Sequence, residues 1–321
     1  MAEFFSSDAA VSVLAFVALA LLAGGYVLRR REKHLLRIAG WVAFGLYWPT
    51  QSAHFFATDD PFNGYATLLA PLLFFYLAYH EWLSRKWQED PRALRWITGT
   101  AVIAAGTYFF IYEVPGGTDA VIGIVAHHSS WLLAALFGVP NYVQVDVGAP
   151  PEAKYHIFLE GWGADAYAVT IILACTAIQS IMIFVGAIAT TQGSSADFKK
   201  RQLKGIAYTA VPIYGLNLLR NAGIVYGYKI LGLTAFGMDS FDFMHSYVGK
   251  GGSLIALIAI ALVVFRLLPE LHQNILDIFD LPKRRRPGFY SGVPGPADAP
   301  APVPAGAVAV AAPPPQPDQG E

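Results

Sequence analysis

The chain has 321 residues, of which 55% are hydrophobic and only 14% are charged, and its formal net charge is -1. Soluble domains carry about 25% charged residues, so this composition excludes an ordinary water-soluble protein and indicates a membrane protein. The nearly neutral net charge gives no reason to expect a nucleic-acid partner. A single cysteine excludes an intrachain disulfide.

Apolar stretches long enough to cross a bilayer, which takes about 20 residues, follow one another along the chain. Seven meet this criterion: roughly 9–28, 36–56, 62–83, 96–112, 166–190, 205–227 and 251–268. An eighth, roughly 118–137, carries His127, His128 and two serines near its middle, and polar groups are costly in hydrocarbon. We predict an all-α fold, a polytopic membrane helical bundle of about seven spans plus one re-entrant or interfacial segment. Eight ordinary spans are the alternative.

The distribution of basic residues predicts the orientation of these spans. Lysine and arginine collect in cytoplasmic loops, and here they cluster at 29–37, 85–95, 199–204 and 283–286. The loops between these clusters are acidic or poor in basic residues. Basic and basic-poor loops alternate between the two sides of the membrane only if the segment 118–137 does not cross the membrane. This alternation places the N-terminus outside and the C-terminus inside.

The end of the chain differs from the rest in composition. Residues 283–321 are basic at first and then rich in proline and alanine, without hydrophobic periodicity. Such a segment cannot bury a core. We therefore expect two parts, a transmembrane domain over 1–282 and a disordered cytoplasmic tail over 283–321.

Polar residues inside the spans are the candidates for function. Cys175, Gln179 and Met182 fall at helical spacing on one face of the stretch 166–190, with Cys175 roughly 14 Å below its outer end. Arg220 falls at a similar depth in the stretch 205–227, where an arginine is costly enough to suggest a function. His245 enters the last stretch from outside.

This set of groups points to thiol chemistry. A histidine can take the proton of a thiol, a nearby cation favours the thiolate, and an arginine can hold the oxyanion formed when a carbonyl is attacked. Cys175, His245 and Arg220 together therefore predict acyl transfer, either peptide cleavage or cleavage with transfer. The alternatives are a cysteine that only packs in the core and an arginine that reaches toward the outer headgroups.

Other chemistry has weaker support in the sequence. His127, His128 and His156 could bind a metal, but their spacing is not diagnostic. A P-loop, a dinucleotide fingerprint and a His-Glu-x-x-His motif are all missing from the sequence. We therefore expect neither a metal nor a cofactor.

Three short motifs resemble the exosortase/archaeosortase family of membrane transpeptidases. They are the segment 174–180 (Ala-Cys-Thr-Ala-Ile-Gln-Ser), the segment 217–221 (Asn-Leu-Leu-Arg-Asn), and His245 with Gly249 four residues later. The cysteine motif is the most specific and looks most like the archaeosortases. The resemblance covers roughly 160–268 well and the earlier spans only in hydropathy.

The resemblance implies a concrete activity at the outer face of the cell membrane. Such an enzyme recognises a C-terminal signal made of a Pro-Gly-Phe motif, a membrane helix and a basic tail, cuts near the motif, and passes the new C-terminus to a membrane lipid. By this resemblance the domain 1–282 is catalytic, with Cys175 the nucleophile, Arg220 the stabilising cation and His245 the base. If the archaeal members of the family have an arginine as their third catalytic residue, Arg266 is the alternative to His245 in that role.

Two other classes of function remain open at this stage. A multi-pass transporter for an anionic solute would use Arg220 to bind its substrate and would tolerate replacement of Cys175. A structural membrane protein would need neither residue.

Overall fold

The computed structural model describes residues 8–28, 32–57, 61–146 and 154–285. The chain divides into a compact unit, Met1–Pro282, and the segment Lys283–Glu321. Nearly all of the second segment, including the proline- and alanine-rich part predicted to be disordered, lies outside the described residues.

The first half of the chain forms five helices. They are α1 (Asp8–Val27), α2 (Lys33–Ala57), α3 (Pro61–Trp87), α4 (Arg92–Glu113) and α5 (Gly117–Phe137). Glycines set both ends of α5, because Gly116 and Gly138 adopt φ angles of 77° and 67°, a region that side chains disfavour. The segment 118–137, predicted to be re-entrant or interfacial, is therefore one continuous helix.

A three-stranded antiparallel sheet follows, in the order β1 (Asn141–Asp146), β2 (Lys154–Leu159) and β3 (Tyr167–Ile171). Its strands are rich in β-branched and aromatic residues, which favour extended backbone. In β2, Ile157 and Leu159 are buried, and both belong to a core shared with α5. The bundle is thus mostly helical, as predicted, but it carries a small sheet that the sequence analysis did not foresee.

The remaining helices complete the bundle. They are α6 (Ile178–Thr190), α7 (Phe198–Val225), α8 (Ser240–Leu267) and α9 (Pro269–Phe279). A π-helical turn, Tyr226–Ile230, extends α7, and a second one, Phe243–Gly249, lies inside α8. π-helical turns inside helices are frequent at functional sites.

Four helices among the described residues, α3, α4, α5 and α8, are long and apolar enough to cross a membrane. The apolar parts of α1 and α6 are shorter. Helices α2 and α7, with 25 and 28 residues, have the length of a span but are more polar. The membrane-protein class is confirmed, whereas the number of spans stays a prediction.

Charged side chains buried between α2 and α3 hold one end of the bundle together. Arg37 is 1% exposed and donates to Glu81 and Asp90 at 3.4 and 3.1 Å. Glu81 is fully buried and also contacts His34 Nδ1 at 2.6 Å. Buried charges persist when they are paired, as these are. Arg37, which the sequence places just beyond the basic loop and within the predicted span 36–56, therefore packs inside the bundle.

Candidate active site

Cys175 lies in a tight turn between strand β3 and helix α6. The turn is one short 3₁₀-helix, Leu173–Thr176. The Cys175 amide donates to the Ile172 carbonyl at 2.8 Å, and the Thr176 hydroxyl donates to the Leu173 carbonyl at 2.6 Å. Ala177 then adopts a φ of 59°, a left-handed conformation that is costly for alanine, and α6 begins at the next residue.

This arrangement corrects the prediction of one continuous helix over 166–190. Residues 167–171 form a strand, and the backbone reverses at Ala177, so Cys175 does not share a helix face with Gln179 and Met182. A short apolar run has the hydropathy of a buried strand as well as of a helix, and hydropathy alone does not separate the two. The four residues 169–172 are all β-branched, which favours the strand.

Two asparagine side chains of α7 hold the cysteine turn. Asn217 Nδ2 donates to the Cys175 carbonyl at 2.7 Å, and Asn221 Nδ2 donates to the same oxygen at 3.1 Å. Asn221 is 4% exposed and also approaches the Ser129 hydroxyl on α5 at 3.4 Å. Because the two asparagines are four residues apart on a helix, they present one face to the turn.

Arg220 is fixed beside this contact. Its Nη1 donates to Asn221 Oδ1 at 3.4 Å, so one amide joins the guanidinium to the cysteine turn. Gly249 on α8 makes room for the arginine: a Cβ there would lie 3.1 Å from Arg220 Nε and 2.9 Å from Ile224 Cδ1. The glycine of the third motif is therefore explained by close packing against Arg220.

His245 lies in the π-helical turn of α8. Its imidazole stacks on the ring of Phe241, with centroids 5.4 Å apart and an interplanar angle of 4°. Asp239 caps the start of α8, since its Oδ1 accepts from the amides of Phe241 and Asp242 at 2.9 and 3.0 Å. The amide of Asp242 lowers the pKa of the Asp239 carboxyl, which favours the charged cap.

The three predicted residues surround one cavity of about 310 Å³. Its walls come from β3 and the turn after it, from α7 and from α8. The lining residues are Tyr167, Val169, Thr170, Ile171, Ile172, Cys175, Arg220, Asn221, Ile224, Phe241 and His245. The structure therefore brings a thiol, a guanidinium and an imidazole to the same space.

Arg266 does not belong to this group. It is an exposed residue in the last turn of α8, about 30 Å along the helix from His245 at 1.5 Å per residue. It does not line the cavity. Of the two rivals for the third position, His245 has the matching geometry.

The histidines considered for a metal site are used in other contacts. His127 Nδ1 lies 2.8 Å from the Gly123 carbonyl, His128 Nδ1 lies 2.6 Å from the Tyr214 hydroxyl, and His156 Nδ1 lies 2.8 Å from Thr170 Oγ1. Over the ranges that the structure describes, no group of three His, Cys, Asp or Glu residues is arranged to hold a metal ion.

The roles of Asn217, Asn221 and Phe241 in the site are not among the predictions from the sequence. The four-residue spacing of the asparagines on either side of Arg220 was the available signal, because it places two amides on one helix face. The stacking of Phe241 on His245 follows from the same spacing of four residues in α8.

Comparison with known proteins finds a relative of similar length. The chain is 26% identical over 294 residues to archaeosortase A of Haloferax volcanii, and the alignment covers 83% of this chain and 92% of that protein. No protein-family model matches the chain, and no solved structure matches it. The alignment extends far beyond the three motifs, and it confirms the resemblance that they indicate.

Proposed function

The chain resembles the archaeosortases in its motifs and over most of its length, and on that premise we propose that it is a membrane sorting protease that acts as a cysteine transpeptidase. The observation that carries the proposal is the single cavity lined by Cys175, Arg220 and His245. A nucleophile, a base and an oxyanion-stabilising cation are what thiol-dependent acyl transfer requires.

In the first half of the reaction, the His245 imidazole takes the proton of the Cys175 thiol. The sulfur attacks the scissile carbonyl carbon, and Arg220 stabilises the negative charge that develops on the oxygen. The tetrahedral intermediate collapses, a C–S bond replaces the C–N bond, and the imidazolium gives its proton to the departing amine. The product is a thioester between the substrate and Cys175.

In the second half, a nucleophile releases the substrate from the enzyme. A membrane lipid hydroxyl gives up its proton to His245 and attacks the thioester, so an ester forms and the thiol is restored. Water in the same position would give simple hydrolysis. The sulfur is bonded only transiently, and no oxidant or cofactor is needed.

The proposed substrate is a secreted protein that carries a Pro-Gly-Phe motif, a membrane helix and a basic tail at its C-terminus. A helix of this kind would reach the enzyme within the bilayer, and its motif would emerge at the outer face. Helix α7 supports a multi-pass topology with the active site outside. Basic residues 199–204 lie at the N-terminal end of α7, as expected for a cytoplasmic end, and Arg220 lies near the C-terminal end.

The test follows the processing of a surface protein with this signal in cells that lack their own copy of the enzyme. Cells carry the wild type or the variants Cys175→Ala, Cys175→Ser and Arg220→Gln. Lys204→Gln is the matched control for Arg220→Gln, because it removes one exposed positive charge from the other end of α7. Substrate size and attached lipid are measured by gel mobility and mass spectrometry, and membrane insertion by fractionation.

We expect uncut, unlipidated substrate with Cys175→Ala and Arg220→Gln, at normal enzyme levels, and normal processing with Lys204→Gln. Cutting without lipid in the wild type would make the enzyme a protease rather than a transpeptidase. Normal processing by both cysteine variants would remove the thiol from the mechanism and favour transport of an anionic solute bound at Arg220.

A further inference from the structure

Strand β3 is an edge strand of the small sheet. It pairs with β2 through Tyr155↔Ile171, His156↔Thr170 and Ile157↔Val169. In the part of the chain that the structure describes, no strand pairs with its other side. Edge strands present a row of backbone N–H and C=O groups to which another extended chain can pair.

The cavity runs along this edge. Three consecutive strand residues, 169–171, line it, together with Ile172 directly after the strand. Successive side chains in a strand point to opposite faces of the sheet, so a cavity against one face would contact alternate residues only. A cavity that contacts all three strand residues therefore reaches the edge of the strand.

Both ends of this accessible edge are defined. At its start, the Tyr228 hydroxyl donates to the Ala168 carbonyl, and burial keeps the pKa of Tyr228 above its ordinary value, so the donor stays protonated. At its other end, the backbone leaves the strand and enters the turn that carries Cys175. The free edge is thus about three residues long, 169–171, or roughly 10 Å at 3.3 Å per residue, and it leads to the turn that carries the thiol.

Helices α7 and α8 supply the rest of the lining. It includes Arg220 and Ile224 of α7 and Phe241 and His245 of α8. The edge of β3 and the candidate reacting groups therefore share one cavity. A chain that pairs with β3 in this cavity would bring its carbonyl groups into the space that Arg220 lines.

We infer that the substrate binds in extended conformation as an added strand along residues 169–171 of β3, with the scissile bond carried to Cys175 in the turn that follows that strand. This inference rests on the proposed function and specifies how the substrate is held. Main-chain hydrogen bonds to a sheet edge give affinity with little demand on sequence, and alternate side chains give specificity. An enzyme that serves many secreted proteins would need such a mode.

The occupant we propose is a polypeptide and not a lipid chain. A lipid tail has no amide groups and gains nothing from an exposed row of backbone donors and acceptors. The lateral walls also contain polar groups, Thr170 and Asn221 among them, which suit a peptide better than a hydrocarbon.

The first experiment uses a synthetic peptide with a Pro-Gly-Phe tripeptide and a following apolar helix, together with the purified full-length protein in lipid nanodiscs. Single N-methyl groups are placed on successive backbone amides around the cut site. Since only every second amide of an added strand faces its partner, we expect cleavage to fall by at least about tenfold at alternate positions and to change less than about threefold between them.

The outcomes separate this inference from the proposed function. If the unmethylated peptide is not cut, the proposed function fails and the inference with it. If it is cut and N-methylation has no two-residue period, the function stands and binding along β3 is wrong. That result would favour recognition through side chains or through the membrane helix alone.

A second experiment measures backbone amide exchange in the Cys175→Ala protein, with and without the same peptide. We expect slower exchange of amides within residues 169–171 of β3 in its presence. Strand β1 is an internal control, because it is the opposite edge of the same sheet and does not line the cavity. Equal protection of both edges, or none at β3, would overturn the inference.

Discussion

Replacement of Asn221 by alanine tests how the site is assembled. The Asn221 amide joins three parts of the protein, since it contacts the Cys175 carbonyl at 3.1 Å, Ser129 Oγ at 3.4 Å and Arg220 Nη1 at 3.4 Å. It does not itself attack or protonate the substrate in the proposed reaction. Its loss should therefore act by releasing the turn and the guanidinium from their positions.

The size of the effect can be estimated from these contacts. A neutral hydrogen bond contributes about 1 kcal/mol, and one to a charged group about 1.5 kcal/mol at the lower end of its range, which fits the long contact with Arg220. The contact with Ser129 is not counted, because Ser129 does not line the cavity. The bond to the Cys175 carbonyl and the contact with Arg220 together contribute about 2.5 kcal/mol, and loss of this amount from the transition state slows the rate about 70-fold. Asn217→Ala removes one neutral bond to the same carbonyl, so we expect a loss of only about fivefold.

The assay is the initial rate of peptide cleavage by purified protein in nanodiscs, with thermal unfolding measured in parallel. Asn217→Ala is the matched control, because both asparagines contact the Cys175 carbonyl and only Asn221 contacts Arg220. A further measurement is the rate at which a maleimide modifies Cys175 in each variant. Equal losses in the two variants would show that Arg220 is not oriented through Asn221, and an unchanged rate in Asn221→Ala would refute the reasoning entirely.

Substitutions at four further residues test the surroundings of the cavity. His245→Gln should abolish processing, whereas Arg266→Gln should leave it within about twofold, because only His245 lines the cavity; the reverse result in the same processing assay would assign the third position to Arg266. Gly249→Ala should lower the cleavage rate about tenfold by crowding Arg220, and normal rates would show that the arginine can move aside. Asp239→Ala should slow cleavage more than Asp239→Asn, which keeps a capping oxygen at the start of α8; equal rates would show that the cap does not position His245. Because the Asp242 amide lowers the pKa of Asp239, the wild-type cap should be lost only as the pH falls through that lowered value.

The helical bundle could be read from the sequence because apolar runs of about 20 residues are typical of helices that cross a membrane. The stretch expected at roughly 62–83 lies within α3, and that at roughly 96–112 lies within α4. Loop charges then indicated which helix ends lie together. That reasoning placed Arg220 and His245 toward one end of the bundle, and both line the same cavity.

The sheet was missed because its evidence in the sequence is local and brief. Strands β1 and β3 have six and five residues, and each pairs with β2 through backbone hydrogen bonds, which hydropathy does not report. The acidic character of 138–165 suggested an external loop, and hydropathy assigned the strand at 167–171 to the following helix. The sequence therefore placed Cys175 near Arg220 and His245, with which it shares a cavity, by an incorrect account of its backbone.

Contacts between buried polar side chains could also not be predicted from the sequence. Arg37 could be counted as a loop charge, but its burial depends on Glu81, which lies on another helix. In the same way, Asn217 and Asn221 are ordinary polar residues of a helix until the Cys175 turn is placed beside them. Loop charges report on which side of a membrane a helix ends, and they contain no information on which side chains meet inside the bundle.

The position of Cys175 between a strand and a helix has a physical advantage that a position within a helix would lack. Inside a helix, the backbone amides near a side chain are already paired with carbonyls of the preceding turn. At the junction of β3 and α6, Ala177 adopts a left-handed conformation between strand and helix, and a strand–turn–helix elbow also presents the nucleophile of α/β-hydrolases. The first amides of α6 follow directly, and helix N-termini favour negative charge, including that of a thiolate. The same turn ends the free edge of β3, so the element that carries the proposed nucleophile also defines where the proposed substrate strand would stop.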